Sequence, residues 1–153
     1  MGLLRIFGEE YGWRAYLLHE LAVLKRPVTA TVFVGLVWAA FHGPIVYQLA
    51  KYFNTGNPLL ICIVQMLAVF VFSFPFAYTY LASGNVIPAI IFHFVWNLYN
   101  PIILGNIYYN QSGIMSGNIL LINGEGVAGV ILGIVFIFWF LKYIQHHLRF
   151  QRS

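Results

Sequence analysis

Five long apolar segments constrain the fold of this chain more than any other feature. They cover residues 3–24, 28–50, 58–82, 86–105 and 124–145, and each reaches or approaches the ~20 residues that a helix needs to cross a ~30 Å hydrocarbon core. Backbone groups cannot stay unpaired in lipid, and the alternating pattern of transmembrane strands is absent from the sequence. We therefore predict an all-α, polytopic membrane helix bundle with about five transmembrane helices.

The composition agrees with a membrane environment. Of the 153 residues, 61% are hydrophobic and 8% are charged, whereas soluble domains carry about 25% charged residues. The net charge of +4 comes from cations at the ends of segments, such as Lys25 and Arg26, and this is typical of loops that orient a membrane protein. The lipid bilayer is thus a predicted partner, and nucleic acid is not.

The distribution of cations also predicts the orientation. Lys25, Arg26 and the basic tail 142–153 hold most of the cations, so both regions are expected on the cytoplasmic side. Five crossings then place the C-terminus in the cytoplasm, and we expect the cytoplasmic membrane of a prokaryote. The connections are short apart from 105–118, and none indicates a second domain. Residues 1–153 are therefore predicted to form a single membrane-embedded domain.

Three ionisable residues interrupt the first apolar segment, in the stretch GEEYGWR. One charged side chain at the centre of a membrane helix costs roughly 2.5–3.5 kcal/mol, so such residues are functional candidates. Glu10 and Arg14 are four positions apart and are predicted to pair on one helix face. Glu9 is rotated by about 100° and is predicted to lack that partner and to point into a cavity. The alternative is an ion pair that only fixes helix packing.

Two further stretches carry histidines, each followed closely by a proline. His42 ends WAAFH, and Pro44 removes the helical partner of one carbonyl, which predicts an interrupted helix beside a watery cavity. His93 and Asn97 in HFVWN share a helix face, and Pro101 follows them. An imidazole and a carboxamide together suit an oxyanion better than a metal. The alternative is a set of structural hydrogen bonds inside the bundle.

These three stretches resemble a family. GEEYGWR fits the EExxxR box, WAAFH the [FW]xxxH box and HFVWN the HxxxN box of the CAAX-processing and bacteriocin-processing (CPBP or Abi) intramembrane proteases. The resemblance covers about residues 5–105. It implies an intramembrane endopeptidase that acts on membrane-associated, lipidated or leader-peptide substrates. Larger members have about three helices before the EExxxR helix, so this chain is expected to correspond to the C-terminal part of the family fold, without those upstream helices.

The resemblance implies that the polar residues of the three boxes are catalytic: Glu9, Glu10, Arg14, His42, His93 and Asn97. In the family mechanism the first glutamate is the general base that activates water, and the first histidine positions that water. The second glutamate and the arginine hold the helix in place. The second histidine and the asparagine bind the oxyanion of the tetrahedral intermediate.

Two alternatives stay open from the sequence. Family members are often classed as metalloproteases, and Glu9, His42 and His93 could ligate zinc. HExxH is absent, and we favour a mechanism that requires no cofactor. The chain could instead be non-catalytic, such as a bacteriocin self-immunity factor or a truncated pseudoenzyme. The sequence assigns neither the peptide or protein substrate nor the oligomeric state.

Overall fold

Helices form nearly the whole of the structure, a computed structural model that describes residues 2–150 and the side chains of 2–144. The described residues contain no β-strand, and one isolated bridge joins Asn106 and Gln111. The helices are α1 (Leu3–Glu10, π-helical Tyr11–Leu18, and His19–Leu24), α2 (Pro27–Tyr52), α3 (Pro58–Ser83), α4 (Ile87–Leu104), the short α5 (Ile119–Ile122) and α6 (Val127–Phe150). The predicted all-α fold is confirmed.

Proline, asparagine and glycine set the ends of the helices. Pro27 and Pro58 open α2 and α3, where the first turn has no use for the missing N–H. The side chain of Asn57 caps α3 by accepting a hydrogen bond from the Leu60 N–H at 3.1 Å. Gly84 ends the same helix in the left-handed conformation, with φ 65°. The turns between α1, α2, α3 and α4 are therefore short and well defined.

The prolines inside the histidine helices do not interrupt them. The helix α2 continues past Pro44 to Tyr52, and α4 continues past Pro101 to Leu104. The predicted interruptions are therefore wrong. One proline removes a single backbone donor, and the hydrogen bonds of the flanking turns maintain the helix.

Four segments are long and apolar enough to cross a membrane: Pro27–Tyr52, Pro58–Ser83, Ile87–Leu104 and Ile119–Ile144. The helix α1 is not among them, since its sequence includes five charged residues before Lys25. The central helix is α3, which packs against α2, α4 and α6. The structure is therefore that of an integral membrane protein built around α3.

Aromatic packing around α3 fixes the position of α4. The rings of Phe76 and Phe92 stack with centroids 4.7 Å apart, and Phe72 lies 4.4 Å from Trp96. Large rings pack with well-defined geometry, so these pairs fix the rotation of α4 about its axis. As a result, His93 lies between α3 and α1.

Candidate active site

A buried ion pair on α1 forms the base of the site. Arg14 Nη1 donates a hydrogen bond to Glu10 Oε1 at 3.0 Å, and both residues are fully buried. The Arg14 guanidinium also lies over the ring of Trp38, 3.9 Å from its centroid, which is a cation–π contact. The predicted pairing of Glu10 with Arg14 is confirmed.

The same carboxylate holds a histidine from another helix, which the sequence did not indicate. His93 Nδ1 lies 2.7 Å from Glu10 Oε1. A carboxylate only accepts, so Nδ1 carries the hydrogen. Glu10 thus links α1 to α4 and determines which ring nitrogen of His93 remains for other partners, namely Nε2. Glu10 therefore has two partners, the predicted Arg14 and His93.

Glu9 is not paired with Arg14, as predicted, but it has another partner. Arg5 Nε lies 3.3 Å from Glu9 Oε1, one helical turn before it. The side chain of Arg5 is 61% exposed and that of Glu9 is 15% exposed, and pairs of this exposed kind stabilise by at most about 1 kcal/mol. Glu9 does reach a cavity, as predicted.

His42 is oriented by its own helix. Its Nδ1 lies 2.9 Å from the backbone carbonyl oxygen of Trp38. Because a carbonyl only accepts, Nδ1 carries the hydrogen and the neutral ring presents Nε2 as an acceptor. The rings of Trp38 and His42 also meet edge to face, with centroids 5.5 Å apart. His42 is therefore held in one orientation before any substrate binds.

One cavity brings together residues from all three boxes. It contains about 100 Å³ of space for water molecules, enough for several waters, since one requires roughly 10–15 Å³ by this measure. Four of the site residues predicted from the sequence line this cavity: Glu9, His42, His93 and Asn97. Glu10 and Arg14 do not line the cavity. They lie behind His93 and support it.

The alternative zinc site would need its three ligands to lie close together. Within the described part of the chain, no three His, Cys, Asp or Glu side chains are close enough together to hold a metal ion. Glu9, His42 and His93 share the cavity without forming such a group.

Three polar residues that sequence analysis missed complete the cavity wall: Gln65, Tyr108 and Glu125. Gln65 Nε2 donates to the Tyr108 hydroxyl at 2.9 Å, and Tyr108 is hydrogen-bonded to Glu125. Burial, reinforced by Glu125, raises the pKa of Tyr108 well above its usual value, so the phenol remains a donor. The signal available in the sequence was that Glu125 is one of only four acidic residues.

A larger cavity of about 410 Å³ adjoins the first. The two share His42, Asn97, Tyr108 and Glu125 as lining residues, and Arg5 lies on the wall of the larger one. The two cavities therefore meet at these four shared residues.

Comparison with known proteins identifies the family. The model of the family described as Rce1-like, type II CAAX prenyl endopeptidase, matches residues 1–99. The chain belongs to this family. The match includes all three boxes, confirms the resemblance to CAAX proteases, and ends before Tyr108 and Glu125. No curated protein and no solved structure matches the chain.

Proposed function

We propose that this protein is an intramembrane endopeptidase in which Glu9 activates water for attack on a peptide bond. The observation that supports the proposal is the single cavity, in which an acid from α1, an imidazole from α2 and an imidazole–amide pair from α4 meet. Membership of an endopeptidase family supports the same reaction class.

The attacking water is held between Glu9 and His42. Glu9 accepts one proton of the water as it becomes the nucleophile, and general-base catalysis of this kind contributes roughly 10²–10⁴-fold. The second hydrogen of the water is directed to Nε2 of His42, since Nδ1 is engaged by the Trp38 carbonyl. Two acceptors thus orient one water lone pair towards the substrate.

The oxyanion of the tetrahedral intermediate is bound by His93 and Asn97. His93 already donates from Nδ1 to Glu10, so donation from Nε2 requires the imidazolium form of His93. Glu10 is therefore a positioning residue that acts through His93, and Arg14 holds Glu10. A donor placed in advance where negative charge develops is worth about 2.7–4 kcal/mol in other hydrolases.

The larger cavity is the proposed entrance for the substrate. Its lining combines aliphatic residues with amide and hydroxyl groups, which suits a peptide that carries an apolar group. The description of the family names CAAX prenyl endopeptidases. A prenylated peptide with a C-terminal CAAX sequence is therefore the first substrate to test, and leader peptides are the second.

The decisive experiment compares two glutamates of α1. Purified protein in lipid vesicles is incubated with a fluorogenic prenylated CAAX peptide and with leader peptides, and products are identified by mass spectrometry. We expect Glu9→Gln to lower turnover by at least about 100-fold. Glu20→Gln is the matched control, because Glu20 is exposed and lies outside the cavity, and it should cleave at the wild-type rate.

Two results would reject the proposal. Wild-type cleavage by Glu9→Gln would exclude Glu9 as the base. Full biological activity in a Glu9→Ala, His42→Ala double variant would indicate a non-catalytic protein instead. Cofactor independence is tested separately: turnover should persist in strong chelator, and stoichiometric bound metal would refute that part of the mechanism.

A further inference from the structure

Glu125 occupies a part of the cavity that none of the three boxes includes. It lies just before α6, beyond the matched residues 1–99. It lines both the cavity that contains Glu9 and the larger cavity beside it. In the proposed reaction the substrate chain passes through this boundary. A group at the boundary lies beside the chain on its way to the attacking water.

One oxygen of Glu125 has no hydrogen-bond partner. Its Oε2 is shielded from solvent and unpartnered. The carboxyl group is hydrogen-bonded to Tyr108 and to Gln65, and Gln65 Nε2 also donates to the Tyr108 hydroxyl at 2.9 Å. A buried polar atom without a partner costs about 1–3 kcal/mol. Such atoms are uncommon in folded proteins and call for an explanation. Here the atom belongs to a group that lines the catalytic cavity.

The environment favours the protonated acid. Among the described side chains, no ion pair includes Glu125, and burial disfavours a carboxylate. The cavity also contains two imidazoles that could carry a positive charge, those of His42 and His93. Each of them already donates a hydrogen bond from Nδ1 to another acceptor. A carboxylic acid held by Tyr108 in the cavity wall has an O–H that it can donate.

We infer that Glu125 is a second catalytic carboxyl, the general acid that protonates the leaving amine. The inference rests on the proposed peptidase function. It assigns the two halves of the reaction to two separate glutamates, with Glu9 accepting the proton of water and Glu125 donating one to nitrogen. A pair of carboxyl groups in different environments is a common solution to acid–base catalysis near neutral pH.

The protons and electrons balance over one turnover. Water transfers a proton to Glu9 as its oxygen bonds to the carbonyl carbon, and the carbonyl electrons move to the oxyanion. The oxyanion then re-forms the C=O bond, and the C–N bond breaks with its electron pair on nitrogen, which takes the proton from Glu125. The products are a carboxylic acid and an amine. A cavity water returns the proton from Glu9 to Glu125 and restores both groups.

The test separates protonation of the leaving group from every other step. Two substrates share one acyl half: a peptide, whose amine must be protonated to leave, and a nitrophenyl ester, whose phenolate leaves without a proton. Glu125→Gln keeps the size of the side chain and an acceptor for Tyr108 but has no acidic proton. We expect it to lower peptide turnover about 10²–10⁴-fold and to change ester turnover less than about threefold.

Matched variants make each outcome decisive. Glu9→Gln should lose turnover of both the peptide and the ester, because both reactions need the activated water. Glu20→Gln should keep turnover of both substrates. Wild-type peptide cleavage by Glu125→Gln would overturn the inference, and so would an equal loss on both substrates, which would indicate a structural role. Ester turnover in the same sample reports whether the variant is folded. A wild-type protein that cleaves neither substrate would instead overturn the proposed function.

Discussion

At the scale of single residues, the cluster of Glu10, Arg14 and His93 shows how a membrane protein keeps charges buried. Glu10 and Arg14 are both inaccessible to solvent, and neither charge would be tolerated alone. The pair neutralises itself, the guanidinium rests on Trp38, and the remaining hydrogen bond orients His93. The ion pair is therefore structural in its own contacts, and in the proposed reaction it acts through the histidine it holds.

Two ion pairs of the same spacing on α1 allow a direct comparison. Arg14→Gln leaves the carboxylate of Glu10 buried without its cation, which typically costs about 3–5 kcal/mol. Arg5→Gln removes the exposed partner of Glu9, and should cost less than about 1 kcal/mol. The free energy of unfolding, measured with denaturant in detergent micelles, checks both values. Equal losses in the two variants would show that burial does not decide the contribution.

Whether a side-chain contact could be predicted depends on how far apart its two residues lie in the sequence. The bond from Arg14 to Glu10 spans four positions, and helix geometry is sufficient to predict it. The bond from His93 to Glu10 spans 83 positions, and no local rule places those two side chains together. Glu125 was missed for the same reason, because its neighbours Tyr108 and Gln65 come from other elements.

At the scale of elements, the predicted ends of the segments agree with the helix ends where proline or polar turn residues mark them in the sequence. The predicted segment 58–82 corresponds to Pro58–Ser83, and 86–105 corresponds to Ile87–Leu104, because prolines and polar turns set those ends. The predicted segment 124–145 was misplaced at its start: α6 begins at Val127, after the short helix Ile119–Ile122. The π-helical turns of α1 had no signal in the sequence, although such turns are frequent at functional sites.

Close packing of α6 on α3 depends on a glycine. A Cβ added at Gly133 would overlap the side chain of Val71, whereas a Cβ at Gly12 of α1 would meet nothing within 4 Å. Gly133→Ala should therefore destabilise the protein by about 1–3 kcal/mol through overpacking. Gly12→Ala is the matched control and should be neutral or stabilise by up to about 1 kcal/mol, since alanine favours a helix. Thermal unfolding in micelles compares them, and an unchanged Gly133→Ala midpoint would contradict the packing argument.

At the scale of the whole molecule, the order of the helices fixes which turns share a face of the bundle. If α1 crosses, the turn at 25–26, the turn after Ser83 and the end of α6 lie on one side, and the N-terminus and residues 105–118 lie on the other. The cations of Lys25 and Arg26 predict that the first of these sides is cytoplasmic. The last part of the basic tail, residues 151–153, lies outside the described residues.

The helix α1 decides this arrangement, because it is the one long helix of the described chain that is not apolar enough to qualify as a span. Its 22 residues from Leu3 to Leu24 extend at most about 33 Å at the ~1.5 Å per residue of an α-helix, which is comparable to a ~30 Å core. Its buried charges are paired inside the bundle. Length and burial therefore favour a crossing despite the composition.

Single cysteines test the crossing. Cys62 is buried and is the only native cysteine, so Cys62→Ala provides the background once its turnover is shown to match the wild type. In spheroplasts, an impermeant thiol reagent should label Gly2→Cys and Ser116→Cys, and should label Ala82→Cys only after permeabilisation. All three positions are exposed. If Gly2→Cys is protected together with Ala82→Cys, α1 does not cross, and Glu9 would then approach the cavity from the cytoplasmic interface.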